Sequence, residues 1–405
     1  MTLYQPGDAA ELAAIISASA SSGETLSISS GGSKRRLGRH APTAATLDLS
    51  RITGIIDYEP AELVLTARAA TPLAEIEGLL ASRRQMLAFE PPDWRALLGH
   101  TGEPTLGGVL ACNQSGPRRL KAGAARDHFL GFSAVNGRGE IWKAGGRVVK
   151  NVTGYDMCKL QAGAFGTLSA LTEVTIKVMP RPETARTLLL PVTDATAALT
   201  LMSAALNTPH EISAAAYLPA AVLARSRVSG ALPAGNGLVA LRLEGPAPSV
   251  AHRTDALEAT FGTAARLVDG DSSTLWAEIG AVRPLLGNAA IVWRLNPTPS
   301  RAVQLLHALA GQFASASFFL DWGGGQIWAG LEPAQAGPDA GATAIRAALA
   351  KTGGHATLFA APDELRAQID VFEPLSPALA ALTQRVKQGF DPLGILNPRR
   401  MYKEF

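Results

Sequence analysis

One order of strands and helices occurs twice in the second half of this chain, and no other sequence feature restricts the fold as much. Hydrophobic patterning over residues 186–219 predicts strand, helix, strand, and residues 289–322 repeat that order. Each copy continues into a further strand and helix, at 237–262 and at 325–353. A duplicated βαβ unit predicts one antiparallel sheet with helices on one face, so the predicted fold class is α+β. Residues 263–288 show no clear period and predict no element.

The chain is also too long for one ordinary core. It has 405 residues, whereas single hydrophobic cores stop growing at roughly 250 to 300 residues. Residues 1–182 alternate short helices with β-branched runs, and residues 371–405 add a helix and a Pro-rich tail that has no pairing partner in the repeat. We therefore predict a first domain at 1–182, a second domain at 183–370, and a C-terminal segment at 371–405 that returns to the first domain.

The composition indicates a globular protein that binds small anions rather than nucleic acid. Hydrophobic residues make up 47% of the chain and charged residues 18%, which excludes extended disorder. A net charge of +3 is a small surplus for a nucleic-acid partner, and the 7 His are too widely spaced to predict a metal site. The two cysteines, Cys112 and Cys158, form neither a disulfide framework nor a four-cysteine iron–sulfur site. With no signal-like or long apolar segment in the sequence, we expect a soluble cytoplasmic protein.

Three separate glycine clusters carry the residues that we identify as candidate ligand contacts. The first cluster directly follows a predicted strand and consists of Ser30, Gly31, Gly32, Ser33 and Lys34. Glycines let backbone N–H groups converge on an anion, and the lysine adds positive charge. The loop matches neither the Rossmann fingerprint nor the Walker loop. A solvated surface turn therefore stays open as the alternative to phosphate binding.

Two further clusters, farther along the chain, also combine glycines with polar or basic residues beside predicted strands. The candidate contacts of the second cluster are Thr105, Gly107, Gly108, Asn113 and Gly116. Those of the third cluster are Lys150, Thr153, Gly154, Tyr155, Asp156, Gly163 and Gly166. Three such clusters beside predicted strands indicate a long ligand that is held mainly by backbone, and a dinucleotide has that shape.

The order of these motifs resembles a known family. The chain contains, in this order, GGSK, TLGGVLACNQSGPRR and KNVTGYDMCKLQAGAFGTLSALTEVTIKVMPRP. Together they are similar to the FAD-binding domain of the vanillyl-alcohol oxidase and p-cresol methylhydroxylase family. The segments SGPRR, KNVTGYD and FDPLGILNPRRMY resemble in particular the FAD-binding subunits of bacterial glycolate oxidase. The motifs cover residues 29–182 and 389–402, and the duplicated unit fits the inserted cap domain that such a two-part FAD-binding domain implies.

The resemblance implies the cofactor FAD and a role for each matching segment. Residues 30–34 would bind the pyrophosphate, and residues 105–113 would line the phosphates and the isoalloxazine. Residues 163–167 and 173–176 would hold the ribityl and adenine parts. Family members with covalent FAD often carry His in the first loop, so Ser33 implies non-covalent FAD. The further cofactor-binding positions that the resemblance adds are Ala111, Cys112, Thr167, Glu173, Val174, Ile176 and Asn397.

A function and partners follow from the same resemblance. The chain would be the FAD-binding subunit of a glycolate oxidase complex that oxidises the 2-hydroxy acid glycolate to glyoxylate. Electrons would pass to partner subunits, a second flavoprotein and an iron–sulfur subunit, through which the complex would associate peripherally with the inner membrane. Two alternatives stay open: a non-catalytic subunit for electron relay or assembly, and a stand-alone flavin dehydrogenase of another alcohol or hydroxy acid.

No catalytic residue or general base is identified from the sequence. We interpret Asp321, Trp322 and Trp328 as packing residues of a hairpin rather than as a substrate wall. A returning tail would bring residues such as Arg399 and Tyr402 near the flavin. A basic segment beside the second cluster would offset phosphates, bind a partner or form a solvated face, and its residues are Arg118, Arg119, Lys121 and Arg126.

Overall fold

The polypeptide path is described by a computed structural model over residues 2–148, 154–228, 230, 235–262, 265–287 and 290–405. Within these residues the strands form four sheets. Two small sheets, β1-β3-β2 and β10-β6, accompany a five-stranded sheet and an eight-stranded sheet. The five-stranded sheet belongs to the part of the chain before the repeat, and the eight-stranded sheet is built by the repeat.

The elements before residue 181 alternate between short strands and short helices. Helix α1 illustrates why they begin and end where they do. The Asp8 side chain accepts from Ala10 N and Glu11 N at its start, and Gly23 at φ +73° ends it. The elements are β1 (Thr2–Tyr4), α1 (Ala9–Ser22), β2 (Leu26–Ser29), β3 (Ala45–Asp48), β4 (Ile55–Glu59), β5 (Val64–Arg68), α2 (Leu73–Ser82), β6 (Gln85–Met86), α3 (Arg95–Leu98), α4 (Leu106–Ala111), α5 (Arg119–Ala122), β7 (Phe129–Asn136), β8 (Ile141–Gly145), α6 (Met157–Gln161), β9 (Ser169–Lys177) and β10 (Met179–Pro180).

The five-stranded sheet has the order β4-β5-β9-β7-β8, and its strands are antiparallel. Strand β9 lies at the centre, paired with β5 on one side and β7 on the other. Its residues Val174 and Ile176 are fully buried in the core that this sheet forms with α2 and α4. These two side chains therefore serve packing within the sheet.

The repeat forms the elements from residue 184 to residue 360. Strand β14 and helix α10 occupy the segment that shows no period in the sequence. The buried residues of α10 include Ser272, Leu275, Trp276 and Ile279, which have helical spacing. Because Ser272 is polar, the apolar residues alone do not show the helical period, which is why the sequence pattern predicted no helix in this segment. The elements are β11 (Thr184–Val192), α7 (Ala195–Leu206), β12 (Ala214–Leu218), α8 (Ala220–Leu223), β13 (Gly237–Gly245), α9 (Ala247–Phe261), β14 (Ala265–Val268), α10 (Asp269–Gly280), β15 (Ile291–Pro297), α11 (Ala302–Ala310), β16 (Ser317–Asp321), β17 (Gln326–Leu331), α12 (Pro333–Ala336), α13 (Ala342–Thr352) and β18 (Gly354–Ala360).

The eight-stranded sheet confirms the predicted duplication on an antiparallel sheet. Its order is β14-β11-β13-β12-β16-β17-β15-β18. Counted inward from its own outer edge, each half places its fourth strand first, followed by its first, third and second strands. The two halves meet at the centre of the sheet, where Tyr217 of β12 pairs with Leu320 of β16. Helices α7, α9, α11 and α13 contribute to the apolar core on one face. The other face packs against α8, α10 and the segment around Trp94.

The C-terminal residues contact the first part of the chain. Helix α14 (Asp363–Gln368) is followed by α15 (Pro377–Phe390), and the tail then pairs with β2 through a parallel bridge between Leu26 and Leu396. Lys387 and Asp391 form a buried ion pair at 2.5 Å. The Lys387 ammonium also donates to the carbonyl oxygens of Thr167 and Leu396. The tail thus lies against the loop after α6, while the domain boundaries stay a prediction.

Candidate functional site

A cavity opens where the first and second glycine clusters meet the returning tail. Its empty space, including the open mouth, is about 840 Å³. The Ser30 and Thr105 hydroxyls lie 2.8 Å apart and join the two clusters. Asn397 joins the tail, since its side chain accepts from Ile28 N at 2.7 Å and donates to Phe165 O at 2.7 Å.

The cavity brings together predicted residues from all three clusters and the tail. Others lie elsewhere, among them Tyr155, which is 90% exposed, and Glu173, which lies in β9. The predicted residues that line the cavity are Ser30, Gly32, Ser33, Lys34, Thr105, Gly107, Gly108, Ala111, Cys112, Gly166 and Asn397. Those that do not line it are Gly31, Asn113, Gly116, Gly154, Tyr155, Asp156, Gly163, Thr167, Glu173, Val174 and Ile176. Lys150 and Thr153 lie outside the described residues.

Several predicted glycines are needed for packing of the chain against itself. A Cβ at Gly31 would lie 1.9 Å from the Glu103 carbonyl oxygen, and one at Gly116 would lie 2.3 Å from the Glu90 carbonyl oxygen. A Cβ at Gly107 would lie 2.8 Å from the Ala69 carbonyl oxygen. Bare backbone at these three positions therefore has a structural reason that does not involve a ligand.

Gly108 is different because it faces the cavity. The nearest atoms to a Cβ there are the Thr105 hydroxyl oxygen at 3.1 Å and the Lys34 ammonium nitrogen at 3.8 Å. Both atoms belong to residues that line the cavity. A larger side chain at this position would occupy the space beside Lys34.

The cavity lining carries two half-buried cations, Lys34 and Arg400, and no carboxylate among its described residues. Burial lowers the pKa of Lys34, and it lowers the pKa of Arg400 to about 10. Lys34 donates to the Ser33 hydroxyl at 3.2 Å, and Arg400 donates to the Lys34 carbonyl at 2.9 Å. Neither cation forms an ion pair within the described part of the chain. Because an uncompensated buried charge is costly, this lining is complementary to an anion such as a pyrophosphate.

Cys112 lies at the end of the cavity that faces the eight-stranded sheet. It is a free cysteine that packs against the core containing Trp328 and Phe359. Burial raises the pKa of its thiol, against the opposing effect of the positive charges of Lys34, Arg400 and Arg294. The thiol is therefore protonated at neutral pH.

Charged side chains on the sheet's cavity-facing side were not identified from the sequence as functional residues. Arg294 interrupts the apolar strand β15, and Asp321 ends the apolar strand β16. A single charged residue inside an otherwise apolar strand was the available signal, because such a residue is expensive to bury unless it has a partner. Gln326 and Trp328 of β17 also carry buried polar atoms without a hydrogen-bond partner.

Asp321 makes stability depend on pH. Burial raises the pKa of this carboxyl to about 7, from 3.8 when unperturbed. Between about pH 4 and pH 7 the unfolded chain loses this proton while the native chain keeps it, so the free energy of unfolding falls as pH rises. We expect Asp321→Asn, which keeps an acceptor for Trp322 N, to stabilise the chain by about 2 to 3 kcal/mol more at pH 8 than at pH 5.

Urea unfolding of both proteins at the two pH values measures this difference. Asp271→Asn is the control, because Asp271 is exposed in the first turn of α10 and its loss should change stability by less than about 0.5 kcal/mol at either pH. An equal effect of Asp321→Asn at pH 5 and pH 8 would show that Asp321 ionises normally in the native chain.

Among the described residues, no cluster of three or more His, Cys, Asp or Glu side chains is arranged to hold a metal ion. In the same part of the chain, no helix is both long enough and apolar enough to cross a bilayer.

Comparison with known proteins identifies relatives of nearly the whole chain and of about a third of it. Residues 2–145 match the family model described as an FAD binding domain. The glycolate oxidase subunit GlcE of Escherichia coli is 35% identical over 388 residues, covering 94% of this chain and 93% of that protein. Glycolate oxidase subunit GlcD of Bacillus subtilis is 38% identical over 33% of this chain and 26% of its own length. D-lactate dehydrogenase of Anaerostipes hadrus is 32% identical over 36% of this chain and 29% of its own length.

A solved structure supports the fold. A crystal structure of alkyldihydroxyacetonephosphate synthase superposes with a TM-score of 0.69 over 98% of this chain and 75% of that one. At 16% identity this similarity concerns the fold alone. The sequence relatives, in contrast, share residues along nearly the whole chain or along about a third of it.

Proposed function

The chain is an FAD-dependent oxidoreductase that belongs to the family of the glycolate oxidase subunit GlcE, and we propose that it oxidises glycolate or a similar small 2-hydroxy acid as one subunit of a complex. The observation that carries this proposal is the cavity, whose described lining residues include the half-buried cations Lys34 and Arg400 and no carboxylate side chain. A dinucleotide's pyrophosphate would supply the missing negative charge.

The cavity lining supports a role for each group of residues toward FAD. Residues 30–34 with Arg400 would hold the pyrophosphate. Gly108, Ala111 and Cys112 would contact the isoalloxazine, and residues near Gly166 the remaining parts. Non-covalent attachment fits Ser33, since no His is among the described lining residues.

The chemistry divides between cofactor and protein. FAD, when bound, supplies a two-electron acceptor for the hydride equivalent on the α-carbon of the hydroxy acid. The buried residues around Cys112 would exclude water from the reacting atoms. The Lys34 and Arg400 cations would fix the cofactor in place.

Partner subunits are proposed because electrons must leave the cofactor. The relatives GlcE and GlcD are both named as subunits of glycolate oxidase. This chain has 2 cysteines, fewer than a four-cysteine iron–sulfur cluster requires. A second flavoprotein and an iron–sulfur subunit would then carry the electrons onward, and any association with a membrane would pass through them. A non-catalytic relay subunit remains the alternative.

Acid precipitation and flavin reduction test this function. We expect the purified chain to carry one FAD, which acid releases into the supernatant because no covalent bond retains it. In the complex, glycolate under anaerobic conditions should bleach the flavin absorbance, whereas acetate, which lacks the hydroxyl, should not. A colourless protein would contradict the proposed cofactor site, and flavin retained in the pellet would contradict non-covalent attachment. A complex that glycolate does not bleach would favour the relay alternative.

A further inference from the structure

The loop that continues from the first glycine cluster lies against helix α14. This loop, residues 34–40, begins with Lys34, which lines the cavity, and it consists of turns and bends without a helix or strand. A segment without regular secondary structure has few internal constraints, so its position depends on the groups that contact it from outside. The contacts of the loop therefore determine where Lys34 lies in the cavity.

The Arg366 side chain reaches into this loop from α14 and is only 2% exposed. One terminal nitrogen of its guanidinium donates to two backbone carbonyl oxygens of the loop, that of Arg36 at 2.5 Å and that of Gly38 at 2.7 Å. The other terminal nitrogen donates to the Asp363 carboxylate at 2.8 Å, which offsets the buried charge. The planar guanidinium thus holds the backbone of the loop at two points.

Arg39 makes the reciprocal contact, from the loop to the end of α14. Its side chain is 5% exposed and donates to the carbonyl oxygens of Ala367 and Ile369, at 2.6 and 2.7 Å. From the tail, the Arg400 side chain donates to the Lys34 carbonyl at 2.9 Å, and the Arg400 carbonyl accepts from Arg39 N at 2.9 Å. The loop is therefore held by α14 and by the tail together.

Net stability does not explain these buried arginines. Burial lowers the pKa of Arg366, and the Nε atoms of Arg39 and Arg366 are buried without a hydrogen-bond partner. Buried ionic contacts add little to the net free energy of folding, because desolvation offsets much of their attraction. The two arginines do impose one defined position on the loop that carries Lys34.

We propose that Arg366 is a positioning residue for FAD, which holds the loop of residues 34–40 so that Lys34 meets the pyrophosphate. The inference rests on the proposed function, in which Lys34 contacts that group. Arg366 is not among the described residues that line the cavity, so it acts through the backbone of Arg36 and Gly38 and does not touch the cofactor. A binding side chain is effective only when its surroundings hold it in the productive position. Without Arg366, Lys34 keeps its charge but loses its fixed place.

The rate at which the FAD-loaded chain releases FAD after dilution tests this role, and the rise of free-flavin fluorescence measures it. We expect Arg366→Met to release FAD about five to ten times faster than the unmodified chain, because the loop loses both hydrogen bonds to its carbonyl oxygens. Arg366→Lys keeps the charge but not the planar fork, so its rate should be intermediate. The flavin absorbance maxima should stay unchanged in both variants, since the residues proposed to contact the isoalloxazine are intact.

Arg36→Met is the control for charge. It removes a cation from the same loop, where the Arg36 side chain pairs with Asp363 at 3.2 Å and both side chains are more than a third exposed. It keeps the Arg36 carbonyl, to which Arg366 donates. The release rate should therefore change by less than about twofold, as expected for an exposed ion pair.

Arg253→Met is the control for stability. Arg253 also donates to two backbone carbonyl oxygens, those of His210 and Glu244, and none of these three residues is among the described lining of the cavity. Its loss can weaken the folded chain, but the rate of FAD release should be unchanged.

The outcomes separate the positioning role from the proposed function. If the unmodified chain holds no FAD, the proposed function itself fails. If it holds FAD but Arg366→Met releases it at the unmodified rate, the positioning role is refuted. The role is also refuted if Arg36→Met or Arg253→Met accelerates release as much as Arg366→Met does, or if the flavin maxima shift. Should Arg366→Met not fold, Arg366→Lys and Arg39→Met decide by the same criterion.

Discussion

Gly108→Val is expected to give a folded chain that retains less than about a tenth of its FAD. The added side chain would begin 3.1 Å from the Thr105 hydroxyl and 3.8 Å from the Lys34 ammonium, inside the space that the cofactor needs. A side chain that keeps the cofactor from approaching the backbone costs about 1 to 3 kcal/mol of binding free energy. A loss of about 1.4 kcal/mol already weakens the affinity for FAD tenfold. FAD released by acid, relative to protein, measures the effect.

Gly78→Val is the control for Gly108→Val. Gly78 is also a helical glycine, it is exposed on α2, and nothing lies within 4 Å of a Cβ built there. The same substitution should therefore leave the FAD content unchanged, and circular dichroism should show that both variants fold. Full FAD occupancy in Gly108→Val would mean that the cofactor lies outside this cavity.

Lys387→Met is expected to have the largest effect on stability, a loss of about 3 to 5 kcal/mol. Lys387 is 4% exposed and its partner Asp391 is 1% exposed. Without the ammonium, the Asp391 carboxylate stays buried and the carbonyl oxygens of Thr167 and Leu396 lose their donor. The free energy of unfolding in urea measures the loss. Since Asn397 follows Leu396 directly and lines the cavity, FAD affinity should fall as well.

Lys159→Met is the matched control for Lys387→Met. Lys159 pairs with Asp156, and both side chains are about half exposed, at 53% and 48%. Surface pairs of this kind contribute no more than about 1 kcal/mol. Similar losses for the two lysines would show that the Lys387 pair is accessible to water and does not anchor the tail.

For the glycine clusters, the sequence predicted correctly which segments line a common cavity, but not which glycines face it. It predicted that residues 30–34 and the glycines near 107 meet around a ligand, and Ser30, Lys34 and Gly108 do line one cavity. The sequence predicted that Gly31 and Gly116 also face the ligand. In the structure, a Cβ at either position would instead collide with a backbone carbonyl oxygen of the chain itself. Sequence alone cannot separate these reasons, because a glycine that faces a ligand and one that faces a carbonyl oxygen have the same local pattern.

The functional side chains on the sheet could not be assigned in this way. Arg294 interrupts an apolar strand, which the sequence shows, but that local pattern does not tell what the side chain faces. That Arg294 lies on the Cys112 side of the sheet, and forms no ion pair among the described residues, depends on how the eight-stranded sheet packs against the segment around Trp94. That packing is a long-range contact, which no local pattern records.

The sequence by itself determined the elements whose cause is local. The duplicated strand and helix order is such an element, because hydrophobic periodicity is set within each segment; so are the glycine clusters, because backbone freedom is a property of single residues. The tertiary structure decided which of these residues share a cavity and which buried charges lack a partner. Burial and charge compensation depend on neighbours from the whole chain. Only in the tertiary structure, where the sheet and the tail surround them, are Lys34, Arg294 and Arg400 seen to be desolvated cations that form no ion pair among the described residues.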